Sequence, residues 1–310
     1  LVLVKIYAKR KYPALDFYAE PNEGALKQKN AALLHQVVGI IVNNTDTTVL
    51  TICLGAKSLL EVSVYGIYMM VVNAVNQLMT SFSNGLTAGF GEVIAKNEEE
   101  TLKKSYSSYE YMYFVIMFIV IACMGVLILP FVGVYTINLT DVQYVRPVLG
   151  ILFTLIVFMQ NVRIPGLTII CAAGHYKETR YQAILEAVIN ITVSLGLVWK
   201  FGMAGVLLGT VCSYGYRSFE IVFYTSRHLV KGCAKKSMFR ILRNVFTVAI
   251  LCTVGTYVIP QEITSFTTWF LYAIGMGLTS VFLVVVINYV VEPDEFMQLR
   301  HRVNDIIKKE

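Results

Sequence analysis

The stretch YFVIMFIVIACMGVLILPFVGVY, residues 113 to 135, contains no charged side chain over 23 positions. A helix needs about 17 to 25 predominantly apolar residues to cross a hydrocarbon core of about 30 Å, so this run predicts a transmembrane helix. Seven further stretches are similar in length and apolar content. The eight predicted spans are residues 34–56, 62–90, 109–136, 147–172, 183–200, 203–226, 242–260 and 267–290.

Composition supports a membrane protein. Hydrophobic residues make up 56% of the 310 residues and charged residues only 15%. A soluble chain with this composition would have too little polar surface. The net charge of +6 would ordinarily suggest nucleic acid, but the charges lie between the apolar stretches. We therefore expect membrane lipids around the chain and no nucleic-acid partner.

The Lys and Arg residues are concentrated in every second loop between the predicted spans. If residues 1–33 are cytoplasmic, 21 of the 26 Lys and Arg fall on the cytoplasmic side, whereas Lys57, Arg146 and Lys200 fall on the outer side. Cytoplasmic loops of membrane proteins carry an excess of Lys and Arg. The bias predicts that both ends of the chain face the cytoplasm.

The beginning of the chain has an unusual pattern. The apolar run LVLVKI, residues 1–6, stops at the basic cluster of residues 9–11. We expect it to be the end of an earlier span whose first part precedes this sequence, with residues 7–33 as a cytoplasmic linker. A short interfacial anchor is the alternative.

The first span is too polar for a helix that faces lipid. Asn43, Asn44 and Asp46 lie in its middle, and His35, Gly39, Asn43 and Asp46 fall within an arc of about 80° at about 100° per residue. A charged side chain at the centre of a span costs about 2.5–3.5 kcal/mol on insertion scales. This face therefore predicts a polar cavity. The alternative is that Thr and Asn side chains satisfy Asp46 across a helix interface.

Two arginines lie within other spans. Arg163 precedes Pro165, which cannot donate to the carbonyl of Asn161 and predicts a kink there. Arg217 lies three residues before Glu220, so the two can pair on one helix face. Because Arg is always charged and donates in a bidentate fork, both arginines are candidates for phosphate binding. Mutual pairing of Arg217 with Glu220 is the alternative, and Glu186 and Asn190 on the fifth span are interpreted as structural.

Other patterns indicate packing rather than chemistry. Gly85 with Gly89, and Gly205 with Gly209, form G-x-x-x-G pairs that allow helices to approach closely. The six Cys and four His residues are scattered, and no nucleotide-binding or hydrolase motif is present. The sequence predicts a protein that is not an enzyme and binds no cofactor or metal.

Four segments resemble the polysaccharide flippases, often called Wzx-type proteins, of the multidrug/oligosaccharidyl-lipid/polysaccharide exporter superfamily. They are VRIPGLTIICAAGHYKETR (Val162–Arg180), QVVGIIVNNTDTTVLTICLGAKSLLEVSVYGIY (Gln36–Tyr68), SFSNGLTAGFGEVIAKNE (Ser81–Glu98) and FGMAGVLLGTVCS (Phe201–Ser213).

The resemblance implies an all-α bundle that forms the C-terminal lobe of a two-lobed flippase plus two extra helices. The implied domains are the linker region 1–33, a six-helix lobe 34–228, and two further helices with a cytoplasmic tail 229–310. An N-terminal lobe of the same protein would be the missing partner. Members of the superfamily move lipid-linked oligosaccharides between leaflets by rocking two lobes about a central cavity.

The implied function is translocation of undecaprenyl-diphosphate-linked oligosaccharide across the bacterial cytoplasmic membrane, for O-antigen, capsule or exopolysaccharide assembly. Arg163 and Arg217 would hold the diphosphate, Asn43, Asn44 and Asp46 would line the substrate site, and Asp46 would couple transport to a proton or sodium gradient. Three alternatives stay open: a cation-coupled drug antiporter of the same superfamily, a peptidoglycan lipid-precursor flippase, and a membrane-embedded glycan polymerase or acyltransferase.

Overall fold

The computed structural model describes residues 2–12, 28–84, 86–260, 263–297 and 300, and these form helices without any β-strand. Most of the predicted linker and the end of the tail, residues 13–27 and 301–310, lie outside the described residues. The helices are α1 (Val2–Lys11), α2 (Lys29–Cys53), α3 (Ser58–Ser83), α4 (Leu86–Ala95), α5 (Glu99–Tyr135), α6 (Pro147–Val162), α7 (Ile164–Ala172), α8 (Arg180–Phe201), α9 (Met203–His228), α10 (Ala234–Val258) and α11 (Phe266–Val291).

Within the described part of the chain, six helical segments are long and apolar enough to cross a membrane. They correspond to six of the eight predicted spans, so the all-helical fold is confirmed and six of its helical segments are suited to crossing a membrane. The six segments are Ser58–Ala95, Glu99–Tyr135, Pro147–Ala172, Arg180–Phe201, Ala234–Val258 and Phe266–Val291.

The other two predicted spans, 34–56 and 203–226, form helices α2 and α9 that are long enough but not apolar enough to belong to this group. In α2 the polar run between Asn43 and Thr48 lowers the hydropathy, and in α9 Arg217 and Glu220 do so. The count of eight spans stays a prediction.

Helix ends differ from the predicted boundaries at several places, of which α5 and the α3–α4 pair are examples. Helix α5 begins at Glu99, ten residues before the predicted start of its span, because its first turns are amphipathic and pack against other helices. The predicted span 62–90 is divided into α3 and α4 near Asn84. Apolar content alone therefore located the membrane segments better than their ends.

Two apolar cores organise the bundle. The larger core is built from α2 to α9, with Leu50, Tyr68, Met117 and Phe153 among its fully buried side chains. The smaller core lies between α5, α10 and α11. Helix α5 belongs to both cores, so it joins the last two helices to the rest of the molecule.

Helices α8 and α9 pack against each other very closely. Gly202, with φ +56°, forms the short turn between them, and a Cβ at Gly209 would meet Ser194 Oγ, the Ser194 nitrogen at 2.8 Å and the Asn190 oxygen at 3.0 Å. A Cβ at Gly205 would meet the backbone of Leu197. The packing role of this G-x-x-x-G pair is confirmed. A Cβ at Gly89 would meet nothing within 4 Å, and Gly85 lies outside the described residues.

Gly209→Ala is expected to lower the free energy of unfolding by about 1–3 kcal/mol, because the added methyl group must push two backbones apart. Gly215→Ala is the matched control, since it lies on the same helix with nothing within 4 Å of a Cβ and gains helix propensity of up to about 1 kcal/mol. Denaturant unfolding in detergent measures both. Equal stability of the two variants would contradict the close packing of α8 and α9.

Candidate functional site

Four charged side chains, two of them buried and two partly buried, form a continuous ionic chain across three parts of the bundle. Arg163 Nη1 lies 2.5 Å from Glu186 Oε1, and Arg217 Nε lies 3.5 Å from Glu186 Oε2. Arg217 also pairs with Glu220 one turn further along α9. The Arg217 side chain is only 3% exposed and that of Glu186 is 10% exposed. Two positive and two negative charges balance, as burial requires.

Arg163 owes its position to Pro165. Helix α6 ends at Val162 and α7 begins at Ile164, so the predicted kink is confirmed as a helix interruption at Arg163. Pro165 has no N–H to donate to the carbonyl of Asn161. The backbone N–H of Arg163 donates to that carbonyl instead. The interruption places Arg163 at a junction between two helices, where its side chain reaches α8.

Tyr214 connects this chain to the polar face of α2. Its ring lies 4.4 Å from the Arg163 guanidinium carbon, a cation–π contact. Its hydroxyl donates to Asn43 Oδ1 at 3.2 Å. Among the described residues Arg163 Nε is buried and has no hydrogen-bond partner. One donor of the guanidinium is therefore unused.

Asp46 lies deeper in the bundle and accepts two hydrogen bonds. Thr210 Oγ1 donates to its Oδ1 at 2.7 Å, and the Tyr65 hydroxyl donates to its Oδ2 at 3.3 Å. Asn190 Nδ2 donates to Thr210 Oγ1 at 3.0 Å, and Asn190 Oδ1 is buried without a partner in the described structure. These contacts match the alternative in which Asp46 is satisfied across a helix interface, although Asp46 also lines a cavity.

Two polar cavities run along the predicted face of α2. The first, about 440 Å³, is lined by His35, Gly39 and Asn43 together with Arg163, Glu186 and Arg217. The second, about 380 Å³, contains Asp46. Asn43, Gln160 and Tyr214 line both, so the cavities adjoin. All four residues of the predicted arc on α2 therefore line the cavities.

Asn44 lies apart from these cavities. Its side chain is exposed and donates to the carbonyl of Ile40, one turn earlier on α2, at 2.8 Å. The structure thus brings Arg163, Arg217, Asn43 and Asp46 together around adjoining cavities and leaves Asn44 on another face. Successive residues on a helix point about 100° apart, which explains why neighbours in sequence separate here.

A line of amides borders the second cavity. Asn76 Nδ2 donates to Gln160 Oε1 at 2.9 Å, and Asn161 Nδ2 donates to Asn76 Oδ1 at 2.9 Å. The Tyr113 hydroxyl completes the line by donating to Asn161 Oδ1 at 2.8 Å. Amide and hydroxyl groups of this kind can exchange hydrogen bonds with sugar hydroxyls.

Tyr176 lies at the end of the first cavity, in the connection between α7 and α8. Burial, together with the neighbouring Cys171, raises the pKa of its hydroxyl to about 12. The hydroxyl therefore stays neutral at physiological pH and remains a hydrogen-bond donor. Its backbone carbonyl contacts His35 Nε2 at 3.0 Å, which fixes the first turns of α2 against this connection.

A second ionic cluster centres on Arg240 of α10, which is fully buried. Arg240 Nη1 lies 3.0 Å from Glu110 Oε2, and Arg240 Nε lies 3.0 Å from Glu292 Oε1. Arg240 Nη2 lies 3.4 Å from Glu295 Oε1, and Arg243 binds Glu292 at 2.8 Å. The cluster links α5 to α10 and to the end of α11.

Glu295, just beyond α11, is held in its charged form. Burial alone would raise the pKa of its carboxyl, but hydrogen bonds from Lys236 and Ser107 and the charges of Lys236 and Arg240 hold that pKa below its ordinary value. The Glu295 carboxylate therefore remains charged at neutral pH.

Sequence reasoning missed the partners in both clusters. It interpreted Glu186 as structural and separate from the arginines, and it counted Arg240 as a cytoplasmic loop charge. Charge balance is the signal that would have found Glu186, because two buried arginines require carboxylates nearby. Arg240 gave no such signal, since α10 begins eight residues before the predicted span.

The described residues contain no group of three or more His, Cys, Asp and Glu side chains that could hold a metal ion. The chain matches no protein-family profile and no curated protein sequence. The chemistry of the cavities is therefore the guide to function.

Proposed function

We propose that this chain is part of a flippase that moves undecaprenyl-diphosphate-linked oligosaccharide from the cytoplasmic to the outer leaflet of a bacterial cytoplasmic membrane. The glycan would serve O-antigen, capsule or exopolysaccharide assembly. One observation carries the proposal: two adjoining polar cavities, one of them lined by two arginines, lie inside a helical bundle in which six segments are long and apolar enough to cross a membrane.

The chemistry of such a substrate matches the order of groups along the cavities. A diphosphate suits the guanidinium groups of Arg163 and Arg217, which donate in planar forks. Sugar hydroxyls suit the amides of Asn43, Asn76 and Gln160. The prenyl chain would stay in the lipid that the exposed apolar faces of the bundle would contact.

Our proposal has α2 and α9 cross the membrane as well, giving eight spans. Their 25 and 26 residues correspond to roughly 38 Å of helix, enough for a core of about 30 Å. Each helix turns polar residues to the cavities and large apolar ones outward. The outward residues include Ile41 and Ile52 on α2 and Phe219 and Phe223 on α9, all exposed.

The proposed orientation follows the distribution of Lys and Arg and has both ends of the chain in the cytoplasm. Residues 34–228 would form one lobe, and residues 229–310 would add two helices and a cytoplasmic tail. A second lobe of the same protein would supply the opposite wall of the cavity. Rocking of the lobes would expose the bound headgroup to each side in turn.

Asp46 is the proposed site of coupling to a proton or sodium gradient. No Lys, Arg or His side chain in the described structure pairs with it, and the unused Asn190 Oδ1 lies near its partner Thr210. A carboxylate with hydroxyl and amide oxygens around it offers hard ligands for a small cation. The same observation would suit a cation-coupled drug antiporter, for which loss of gradient-driven dye efflux in Asp46→Asn would be diagnostic.

Cysteine labelling tests whether the polar face of α2 contacts the substrate. In a cysteine-free form of the native full-length protein, Asn43→Cys and Asp46→Cys are expected to react with a small water-soluble thiol reagent. Ile41→Cys and Ile52→Cys are matched controls on the same helix, because both side chains face outward among apolar surroundings and are expected to stay unlabelled.

Added lipid-linked oligosaccharide is expected to protect positions 43 and 46 from the reagent, whereas undecaprenyl phosphate without sugars is expected to protect them less. Equal labelling at all four positions, or labelling at 43 and 46 that no glycan lipid reduces, would contradict the proposed function.

A further inference from the structure

The Glu186 carboxylate bridges the two arginines of the first cavity. One oxygen contacts Arg163 and the other contacts Arg217. All three side chains line the same cavity of about 440 Å³. Glu220, which pairs with Arg217 alone, is not among the residues that line it. Glu186 thus occupies the position between two guanidinium groups that a bound anion would take.

We propose that Glu186 is an internal counter-anion that a phosphate or diphosphate group displaces on binding. The choice of ligand rests on the proposed function. A diphosphate presents several oxygens and can contact both arginines at once, as the two oxygens of Glu186 do. After displacement, the ligand neutralises the positive charge of the two arginines. The Glu186 carboxylate then contacts polar groups of the cavity wall.

Charge balance supports an exchange rather than simple addition. With Glu186 and Glu220 as partners, the charges of Arg163 and Arg217 are balanced, so these four side chains together exert no net attraction on an anion. The unused donor at Arg163 Nε shows that the guanidinium is not saturated by its present contacts. A diphosphate, with more acceptor oxygens than a carboxylate, offers the two guanidinium groups more hydrogen-bond partners than Glu186 does.

The exchange gives Glu186 control over ligand release. A ligand that must first displace an internal competitor binds with an apparent affinity reduced by the fraction of sites that are free. Glu186 therefore weakens binding, and its return to the arginines assists departure of the ligand. A transporter needs both properties, because a headgroup held too tightly would not leave.

Anion binding to the purified native full-length protein in detergent tests the exchange, with inorganic pyrophosphate and farnesyl diphosphate as probes. Glu186→Gln is expected to bind either probe at least about tenfold more tightly than the wild type, equivalent to about 1.4 kcal/mol. Glu220→Gln is the matched control: the same charge is removed from the same ionic chain but outside the cavity, and the expected gain is below about threefold.

Thermal unfolding with and without pyrophosphate tests the exchange even if Glu186→Gln is less stable than the wild type. Pyrophosphate is expected to raise its unfolding midpoint more than that of the wild type, because the ligand replaces the missing counter-charge. Glu186→Asp, whose shorter side chain reaches the arginines less well, is expected to show an intermediate gain in affinity. Adding Arg163→Gln to Glu186→Gln is expected to abolish the gain.

Equal gains in affinity in Glu186→Gln and Glu220→Gln would overturn the exchange, because the change in net charge alone would explain them. Unchanged or weaker binding in Glu186→Gln and Glu186→Asp would also overturn it. Tighter binding of farnesyl diphosphate than of pyrophosphate would indicate a lipid-linked ligand, and equal binding a free one. The binding experiment does not depend on transport. If it contradicts the exchange at Glu186, the cysteine labelling experiment still tests the proposed role in glycan export.

Discussion

Replacing Arg163 with alanine in the native full-length protein is expected to abolish export of the lipid-linked oligosaccharide while the protein remains in the membrane. Hydrogen bonds to charged groups contribute about 1.5–3 kcal/mol, which corresponds to roughly ten- to hundredfold in affinity. Glu186 keeps Arg217 as a partner in this variant, so the bundle retains a paired carboxylate. Complementation of a strain that lacks the protein, with surface glycan as the readout, measures the effect.

Arg163→Lys is expected to retain part of the export, because lysine keeps the charge but loses the planar fork. Arg227→Ala is the matched control, since Arg227 is an exposed arginine near the end of α9 and is expected to leave export unchanged. Normal export by Arg163→Ala would refute a contact with the diphosphate. Loss of the protein itself would assign Arg163 to structure instead.

Arg240→Met is expected to lower the free energy of unfolding by about 3–5 kcal/mol, because removing one partner leaves buried charges uncompensated. Glu110, only 3% exposed, would lose its cationic partner, and Glu292 and Glu295 would each lose one contact. Denaturant unfolding in detergent measures the loss. Proteolysis near residues 229–233 reports whether α10 and α11 have separated from α5.

Lys231→Ala is the matched control for Arg240→Met. Its ion pair with Glu99 is exposed, at 75% and 81% of the two side chains, and exposed pairs contribute about 0–1 kcal/mol. Adding Glu110→Gln to Arg240→Met is expected to restore part of the stability, because it removes the buried charge. Similar unfolding of Arg240→Met and Lys231→Ala would show that the cluster contributes little to holding α10 and α11.

The predictable part of the structure follows from periodicity and from proline chemistry. The arc of His35, Gly39, Asn43 and Asp46 lines the cavities because helical spacing alone places these residues together. The interruption at Arg163 follows from the missing N–H of Pro165. Both features depend only on residues close together in the chain, so they can be predicted from a single sequence.

The missed features depend on which helices become neighbours. Glu186 contacts Arg163 only because α8 lies against the junction of α6 and α7, 23 positions earlier in the chain. Glu110 contacts Arg240 across 130 positions. A windowed hydropathy average is also low for a helix such as α2, whose polar side faces a cavity and whose apolar side faces outward, because the average combines the two sides.

The burial of the Arg240 cluster determines how its ion pairs respond to ionic strength. Dissolved ions screen exposed charges over a Debye length of about 8 Å at 0.15 M, but they reach buried pairs far less. Concentrated salt should therefore weaken peripheral pairs such as Lys96 with Glu92, whose side chains are 58% and 67% exposed. It leaves Arg240 and Glu110 attached, so the electrostatic attachment of the last two helices persists at salt concentrations that dissociate surface contacts.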